Sequence, residues 1–297
     1  MTLTNAFATA RSGITSAQTG IDLASRNIAG ASQEGYTRKV QQQSTLVLNG
    51  GQSTGVRQQA PVRMVDTDLQ RDLREQHSVV EEITSIDDFL GRMELMFGAP
   101  SSDMSIAAKV TDVRNAFERL SVTPNLATAQ SEAVRVAEQL AQELNRLSSE
   151  VQELRFEANQ RIDNSVNAVN EALSLVSDLN AQIRDLQSLS RATGDLEDQR
   201  DMQLQRIAEE MNIRTFQREN GQLAVMTGGS QFLLDYKVQE LEFSTSPVVS
   251  PDQTLSSIGL DDGLPGAIEP IDDEITTGRI AGLLNVRDTL LPRLQDQ

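Results

Sequence analysis

Residues 3–28 read LTNAFATARSGITSAQTGIDLASRNI, and within them Leu3, Phe7, Ala10, Ile14, Ala17, Ile21, Ala24 and Ile28 recur at alternating steps of four and three. That is an unbroken a/d register, the pattern of a coiled-coil seam. A single helix cannot cover its own apolar stripe, and the burial of a few Ile and Phe side chains does not offset the entropy of ordering the segment. Gly13 and Gly20 weaken it further, by about 1 kcal/mol each relative to Ala. The seam therefore needs a partner helix from elsewhere in the chain or from other subunits, and in the isolated chain it is expected to be unpaired and disordered. Small alanines between larger residues predict a close approach of that partner. Beyond the seam, Asn27-Ile28-Ala29-Gly30 and Gly35-Tyr36-Thr37-Arg38 break the helical pattern and leave an aromatic beside the basic pair Arg38 and Lys39.

Composition excludes several classes. The 297 residues carry 43 acidic and 26 basic side chains, a net charge of −17, which argues against nucleic acid and anionic membranes as partners. Cysteine is absent and His77 is the one histidine, so no disulfide framework, thiolate nucleophile or His-based metal site is expected. His77 itself stands among Glu75, Gln76, Glu81 and Glu82 and reads as a solvated surface residue. No run approaches eighteen apolar residues and no cleavable signal is visible, so membrane insertion is not expected. No nucleophile elbow, phosphate loop or zinc signature is present, and neither catalysis nor a cofactor is expected.

The rest of the chain reads as helix with one small β element. After the assembly helix and motif of 1–38, residues 39–65 mix short β-prone runs with Gly50-Gly51, Gly55 and Pro61, an extended connector or loose hairpin. Residues 66–212 form an expected helical rod. A first helix carries Leu69, Leu73, Val80, Ile83, Phe89 or Leu90, and Leu95, with Asp66, Thr67 or Asp68 as caps, and Gly98-Ala99-Pro100 ends it. A second spans about Met104 to Val122. A third, from about Leu126 to Arg191, has heptads through Leu140, Leu144, Leu147, Val151, Leu154 and Ala158, then a stutter to Ile162 and on through Leu186. Unbroken, it would span roughly 100 Å. A fourth follows Gly194. Residues 213–243 switch to a period of two around Asn220-Gly221, the strongest short-range hairpin signal. Residues 244–277 hold four prolines, seven acidic residues and no basic one. They read as an acidic surface loop, without the alternating ligands of a calcium loop. Residues 278–297 are a final helix.

The expected fold class is thus mainly α, an elongated antiparallel helical rod or coiled coil with a small β-hairpin or meander and an N-terminal assembly helix. Asn27-Ile28-Ala29 with Gly35-Tyr36-Thr37-Arg38 resembles the N-terminal signature of bacterial flagellar rod, hook and hook-associated proteins. Gly55-Val56, then Arg63, Asp66 and Leu69, is similar to the segment leading into the rod domain of the hook-associated protein 1 family. Leu196, Asp198, Arg200 and Asp201 resemble that family's Leu-x-Asp-x-Arg-Asp motif, and Gly278-Arg279-Ile280-Ala281-Gly282-Leu283 with Arg287-Asp288 resembles a later one. Gly30 stands where the family usually has Asn. Family members also continue past this point into an outer β domain and a C-terminal helix, so a piece of a longer protein is favoured over a shortened relative.

The resemblance implies a structural subunit in a ring of copies between hook and filament. Hook protein and the second junction protein would be neighbours, with an export chaperone at the C-terminus. Export would run unfolded through the flagellar type III apparatus to an extracellular flagellum. Other axial proteins, a cytoplasmic coiled-coil scaffold and a wall hydrolase using Asp198 and Asp201 stay as alternatives.

Overall fold

A computed structural model of the chain describes residues 3–47, 53–98, 105–246, 249–250, 253–261 and 269–295. Gly50-Gly51, Ala99-Pro100, Met104 and Asp262 lie outside the described residues. The chain divides into two compact units, each drawn from two stretches: residues 1–77 with 168–240, and residues 78–167 with 241–297. The linear division expected from the sequence, with 66–212 as one domain, is corrected accordingly. Two long helices, α2 (Thr67–Phe97) and α4 (Ala127–Ser188), contribute residues to both units.

The first unit begins with α1 (Leu3–Gly30). Two nested antiparallel pairs follow, β1 (Lys39–Val40) with β4 (Val62–Arg63) and β2 (Gln43–Val47) with β3 (Ser53–Gln58). The inner hairpin lies on the Ser/Thr face of α1, positions i, i+4 and i+7 of one helical stripe. Val56 donates its backbone N–H to Ser12 Oγ (3.4 Å), Gln43 Nε2 donates to Ser16 Oγ (2.7 Å), and Thr19 Oγ1 donates to Gln58 Oε1 (3.4 Å). This revises the expectation of a disordered seam, because the polar face of α1 has a partner of its own. Further on come α5 (Gly194–Glu210) and an antiparallel meander of β5 (Ile213–Gln217), β6 (Leu223–Thr227) and β7 (Phe232–Leu234). Gly221 N donates to Arg218 O (3.0 Å), Arg218 N donates to Gln222 O (2.8 Å), and Gly221 sits at φ +78°. Asn220 keeps a negative φ. The hairpin is thus a tight turn closed by a left-handed glycine, not the two-residue form in which both Asn and Gly are left-handed.

The second unit contains the C-terminal part of α2, α3 (Ile106–Val122), the N-terminal part of α4 and a three-stranded sheet. The sheet's order is β10 (Glu269–Pro270), β9 (Gly259–Asp261), β8 (Glu240–Glu242). The reading of 244–277 as a surface loop is therefore wrong. Leu255, Ile258, Leu260, Ile271 and Ile275 are buried, and Asp272 Oδ1 accepts the backbone N–H of Ile258 at 2.8 Å. Asp272 caps an apolar set that the proline content hid. The α4 seam is buried from Leu147 to Ile183, through both units. At the stutter, Arg155 and Asn159 also turn inward.

The final helix is α6 (Arg279–Asn285), a π turn (Val286–Leu290) and α7 (Leu291–Gln295). Pro292 has no N–H and its ring crowds the carbonyl four residues back, so one wider turn relieves the clash. Arg287 lies in that turn and is 2% exposed. It donates to Asn159 Oδ1 (2.9 Å) and to Asp288 (2.7 Å), while Arg155 donates to the carbonyls of Arg287, Ser250 and Gln253.

The apolar face read on α2 is also corrected. Leu69, Leu73, Val80, Ile83 and Leu95 are exposed; of the pair Phe89 and Leu90, Phe89 is buried and Leu90 exposed, and the other buried residues of α2 are Ser78, Ser85 and Met93. Small serines let α6 approach closely, and Phe89 supplies volume between the guanidinium groups of Arg92 and Arg161. Gly278 N donates to Ser78 O (3.0 Å), Ser78 and Thr277 share a hydroxyl bond (2.7 Å), and Arg279 pairs with Glu81 (2.7 Å). A Cβ at Gly282 would stand 2.6 Å from the backbone oxygen of Glu82. Helix propensity alone favours Ala over Gly by about 1 kcal/mol, but overpacking against backbone costs about 1–3 kcal/mol. Gly282→Ala is therefore expected to destabilise the second unit, read as a lower urea midpoint; an unchanged or higher midpoint contradicts the close approach.

Lys109 of α3 and Arg146 both pair with Glu143 of α4, at 2.9 and 2.5 Å. The Arg146 and Lys109 hydrogen bonds hold the Glu143 carboxyl down at about 2, against an ordinary 4.5. A depressed carboxylate stabilises the fold above its ordinary value and loses that contribution as pH falls toward about 2. Glu143→Gln is expected to remove up to about 1 kcal/mol at pH 7 and much less at pH 2, measured by urea unfolding at both.

Candidate functional site

The family-like motif residues of the sequence converge in the first unit. Asp198, one turn into α5, is buried and accepts four hydrogen bonds. Its Oδ1 takes Thr37 Oγ1 (2.5 Å) and Arg63 NH1 (3.3 Å); its Oδ2 takes the Thr37 backbone N–H (3.2 Å) and Lys39 Nζ (2.7 Å). Lys39 Nζ also meets Asp195 (2.7 Å) and lies 4.0 Å from the centre of the Tyr36 ring. Arg63 spans Glu197 (2.6 Å) and Asp201 (2.5 Å), and Gln70 Nε2 adds a bond to Asp201 (3.1 Å). The Asp-x-x-Asp spacing puts both carboxylates on one face of α5, opposite cations from β1 and β4.

The other end of the network fixes α1. Asn27 uses its whole amide: Nδ2 donates to Lys39 O (2.9 Å), and Oδ1 accepts Lys39 N (3.0 Å) and Tyr36 OH (2.9 Å). The Tyr36 ring lies against Gly30, where any Cβ would come within 2.6 Å of it. An Asn at that position requires the ring to move, which accounts for Gly30. Gly35 takes φ +75° beside Met202. Together these residues form a clasp that ties the end of α1 and the strands after it to α5.

Burial disfavours the charge on Lys39, but the hydrogen bonds to Asp195 and Asp198 outweigh it and raise its pKa above 10.5. Arg63 is raised in the same way, desolvation being overcome by Asp201. A raised cation contributes stability fully present below its ordinary value and lost as pH climbs through the folded one, so the clasp holds across neutral pH. Arg200 lies outside it. It is buried and donates to Asn180 Oδ1 (3.0 Å) and Gly221 O (3.1 Å), and Asn180 in turn bonds both backbone groups of Leu223. Its role is to hold the hairpin turn on α4, and burial lowers its pKa.

Of the other residues singled out in the sequence, Asp66 caps α2, its Oδ1 accepting the N–H of Asp68 and Leu69 at 3.1 Å. Leu196 is half-buried, and the Arg38 side chain is exposed while its carbonyl accepts Met64 N. Thr37 and Lys39, which lie in the motif stretch, complete the clasp with Asp195, Glu197 and Gln70, which no sequence signal singles out. Strand alternation after Tyr36 is the signal that separates inward Lys39 from outward Arg38. All eight seam residues, Leu3, Phe7, Ala10, Ile14, Ala17, Ile21, Ala24 and Ile28, are exposed, with Ile14 at 61% and Leu3 at 89%. Among the described residues no cluster of three or more His, Asp or Glu side chains is placed to hold a metal ion, and no helix is long and apolar enough to cross a membrane.

Comparison with known proteins points one way. The chain is 23% identical over 285 residues to flagellar hook-associated protein 1 of Escherichia coli (strain K12), which covers 94% of this chain and 51% of that protein. It is 23% identical over 224 residues to the protein of the same name in Bacillus subtilis (strain 168), covering 72% and 44%. The chain thus spans about half the length of these relatives. Its fold is similar to that of the flagellar hook junction protein FlgK from Burkholderia pseudomallei, with a TM-score of 0.63 at 21% identity, covering 74% of this chain and 39% of that one. Residues 90–297 match the family described as the flagellar hook-associated protein FlgK helical domain. With more than half of its length matched, the chain belongs to that FlgK helical-domain family.

Proposed function

We propose that this chain is part of a structural subunit of the bacterial flagellum that joins hook to filament, with no catalytic role. The observation that carries the reading is α1: a complete apolar a/d register facing solvent on a helix held along its opposite face by a hairpin and at its end by the clasp. A folded protein that fixes such a stripe outward is built to be completed by assembly. In this reading the seam is the assembly interface. It packs as a coiled coil with terminal helices of its own and neighbouring copies in a ring, with hook protein on one side and the second junction protein on the other. The named relatives support a place in the extracellular flagellum. Export through the flagellar type III apparatus, without a cleavable signal and with a chaperone at the C-terminus, completes the proposal. Electron microscopy of flagella from a strain lacking the gene tests it. Hooks bearing no filament are expected, and filaments of normal number on the deleted strain would refute it.

A further inference from the structure

The meander of the first unit has an outer face carrying aromatic and arginine side chains. Its register sets Arg214 opposite Met226, Met226 opposite Phe232, and Phe216 opposite Ala224. With period two along β5, Arg214, Phe216 and Arg218 share that face. Arg218 pairs with Asp235 (2.5 Å) and its guanidinium lies 4.8 Å from the centre of the Tyr236 ring. Phe216, Phe232 and Tyr236 are 59%, 40% and 79% exposed. The chain has eight Phe and two Tyr, and Phe216 and Phe232 stand in the open on this sheet with Tyr236 in the turn just after β7. Aromatic residues, Met and Arg are the types enriched where protein surfaces bind each other.

The same chain carries a surface of complementary chemistry. On α2, Val80, Ile83 and Leu90 are exposed, and Asp87 and Glu94 stand in the same stripe at heptad spacing, also exposed. One face is aromatic and carries arginine; the other is aliphatic and acidic. Two different patches meeting between copies make a heterologous contact, which closes into a ring or runs on as a filament according to the rotation it sets.

We propose that the outer face of the β5–β6–β7 sheet is a docking surface for a second copy of this chain, receiving the Val80–Ile83–Leu90 stripe of that copy's α2. The proposal deepens the assembly reading above and rests on it. Because the chain lacks cysteine, single cysteines report the contact cleanly. Mixing purified Met226→Cys and Ile83→Cys chains under mild oxidation should give a disulfide-linked dimer well above that of Met226→Cys mixed with Ser149→Cys, an exposed control on α4. Arg214→Glu in the first chain should lower the yield about fivefold, and Asp87→Arg in the second should restore it, as expected of a close interfacial charge pair. A yield equal to the control, or one indifferent to both charge changes, overturns the proposal. The purified chains need no flagellum, so a negative result leaves the hook–filament reading to its own test by microscopy.

Discussion

Asp198→Ala is expected to free the segment from Thr37 to Arg63 from α5 and to cost about 3–5 kcal/mol locally, the range for breaking a buried ion pair from one side. The carboxylate serves four donors. Its loss leaves the buried Lys39 ammonium with Asp195, whose side chain is 74% exposed and exchanges with water. It also leaves the Thr37 amide and hydroxyl without an acceptor, each a further desolvation cost of about 1–3 kcal/mol. Arg63 keeps Glu197 and Asp201, so β4 should loosen less than β1. Asp195→Ala removes the same formal charge from a solvated position and should cost less than about 1 kcal/mol. Amide hydrogen exchange resolves the two. Protection between Thr37 and Arg63 should collapse in Asp198→Ala and persist in Asp195→Ala, while β5 and β6 stay protected in both. Equal effects of the two substitutions would show that the clasp is not centred on Asp198. Lys39→Met combined with Asp198→Ala should not recover stability, since the Thr37 amide and hydroxyl lose their acceptor in either background.

What was legible in the sequence follows the range of the interaction. The α4 heptads from Leu147 to Ile183, the Asp66 cap and the Asn220-Gly221 turn are local, set by residues within one or two turns of each other, and they stand in the structure, whereas Leu144 of the same expected register is exposed. The clasp joins Lys39 to Asp198, which are far apart in the chain, and no periodicity reports such a pairing. The motif points to Asp198, Asp201, Arg63, Tyr36 and Asn27, but of the basic pair beside Tyr36 it includes Arg38, which faces out, and not Lys39, which faces in. Two failures share a cause. On α2 the buried positions Ser78 and Ser85 are polar because α6 comes too close for larger side chains. In 244–277 the apolar residues Ile258, Leu260, Ile271 and Ile275 are sparse, and prolines and carboxylates mask them. In both places shape complementarity, not hydrophobic periodicity, decides what is buried.

Ile14→Asp combined with Ile21→Asp should separate the stability of the chain from the work of the seam. Both side chains are exposed, at 61% and 67%, and neither contributes to the hydrogen bonds that tie α1 to the hairpin. Surface changes of this kind usually alter stability by no more than about 0.5 kcal/mol. The circular-dichroism melting midpoint of the purified chain should therefore stay within a degree or two of the parent, by the usual scaling. In an assembled seam the same changes act on buried positions. Each lost isoleucine removes about 1.5–3 kcal/mol of burial, and each aspartate adds the cost of an unpaired charge in an apolar interface. In the proposed ring every copy carries both changes, so the loss is repeated around it. Bacteria supplied only with the full-length double variant should carry hooks without filaments, seen by electron microscopy. Leu173→Asp, at a fully buried position of α4, gives the opposite pattern, a chain that fails to fold in the first place. Normal filaments on the double variant would remove the seam from the assembly interface. A collapsed melting midpoint would instead make it part of the chain's own core.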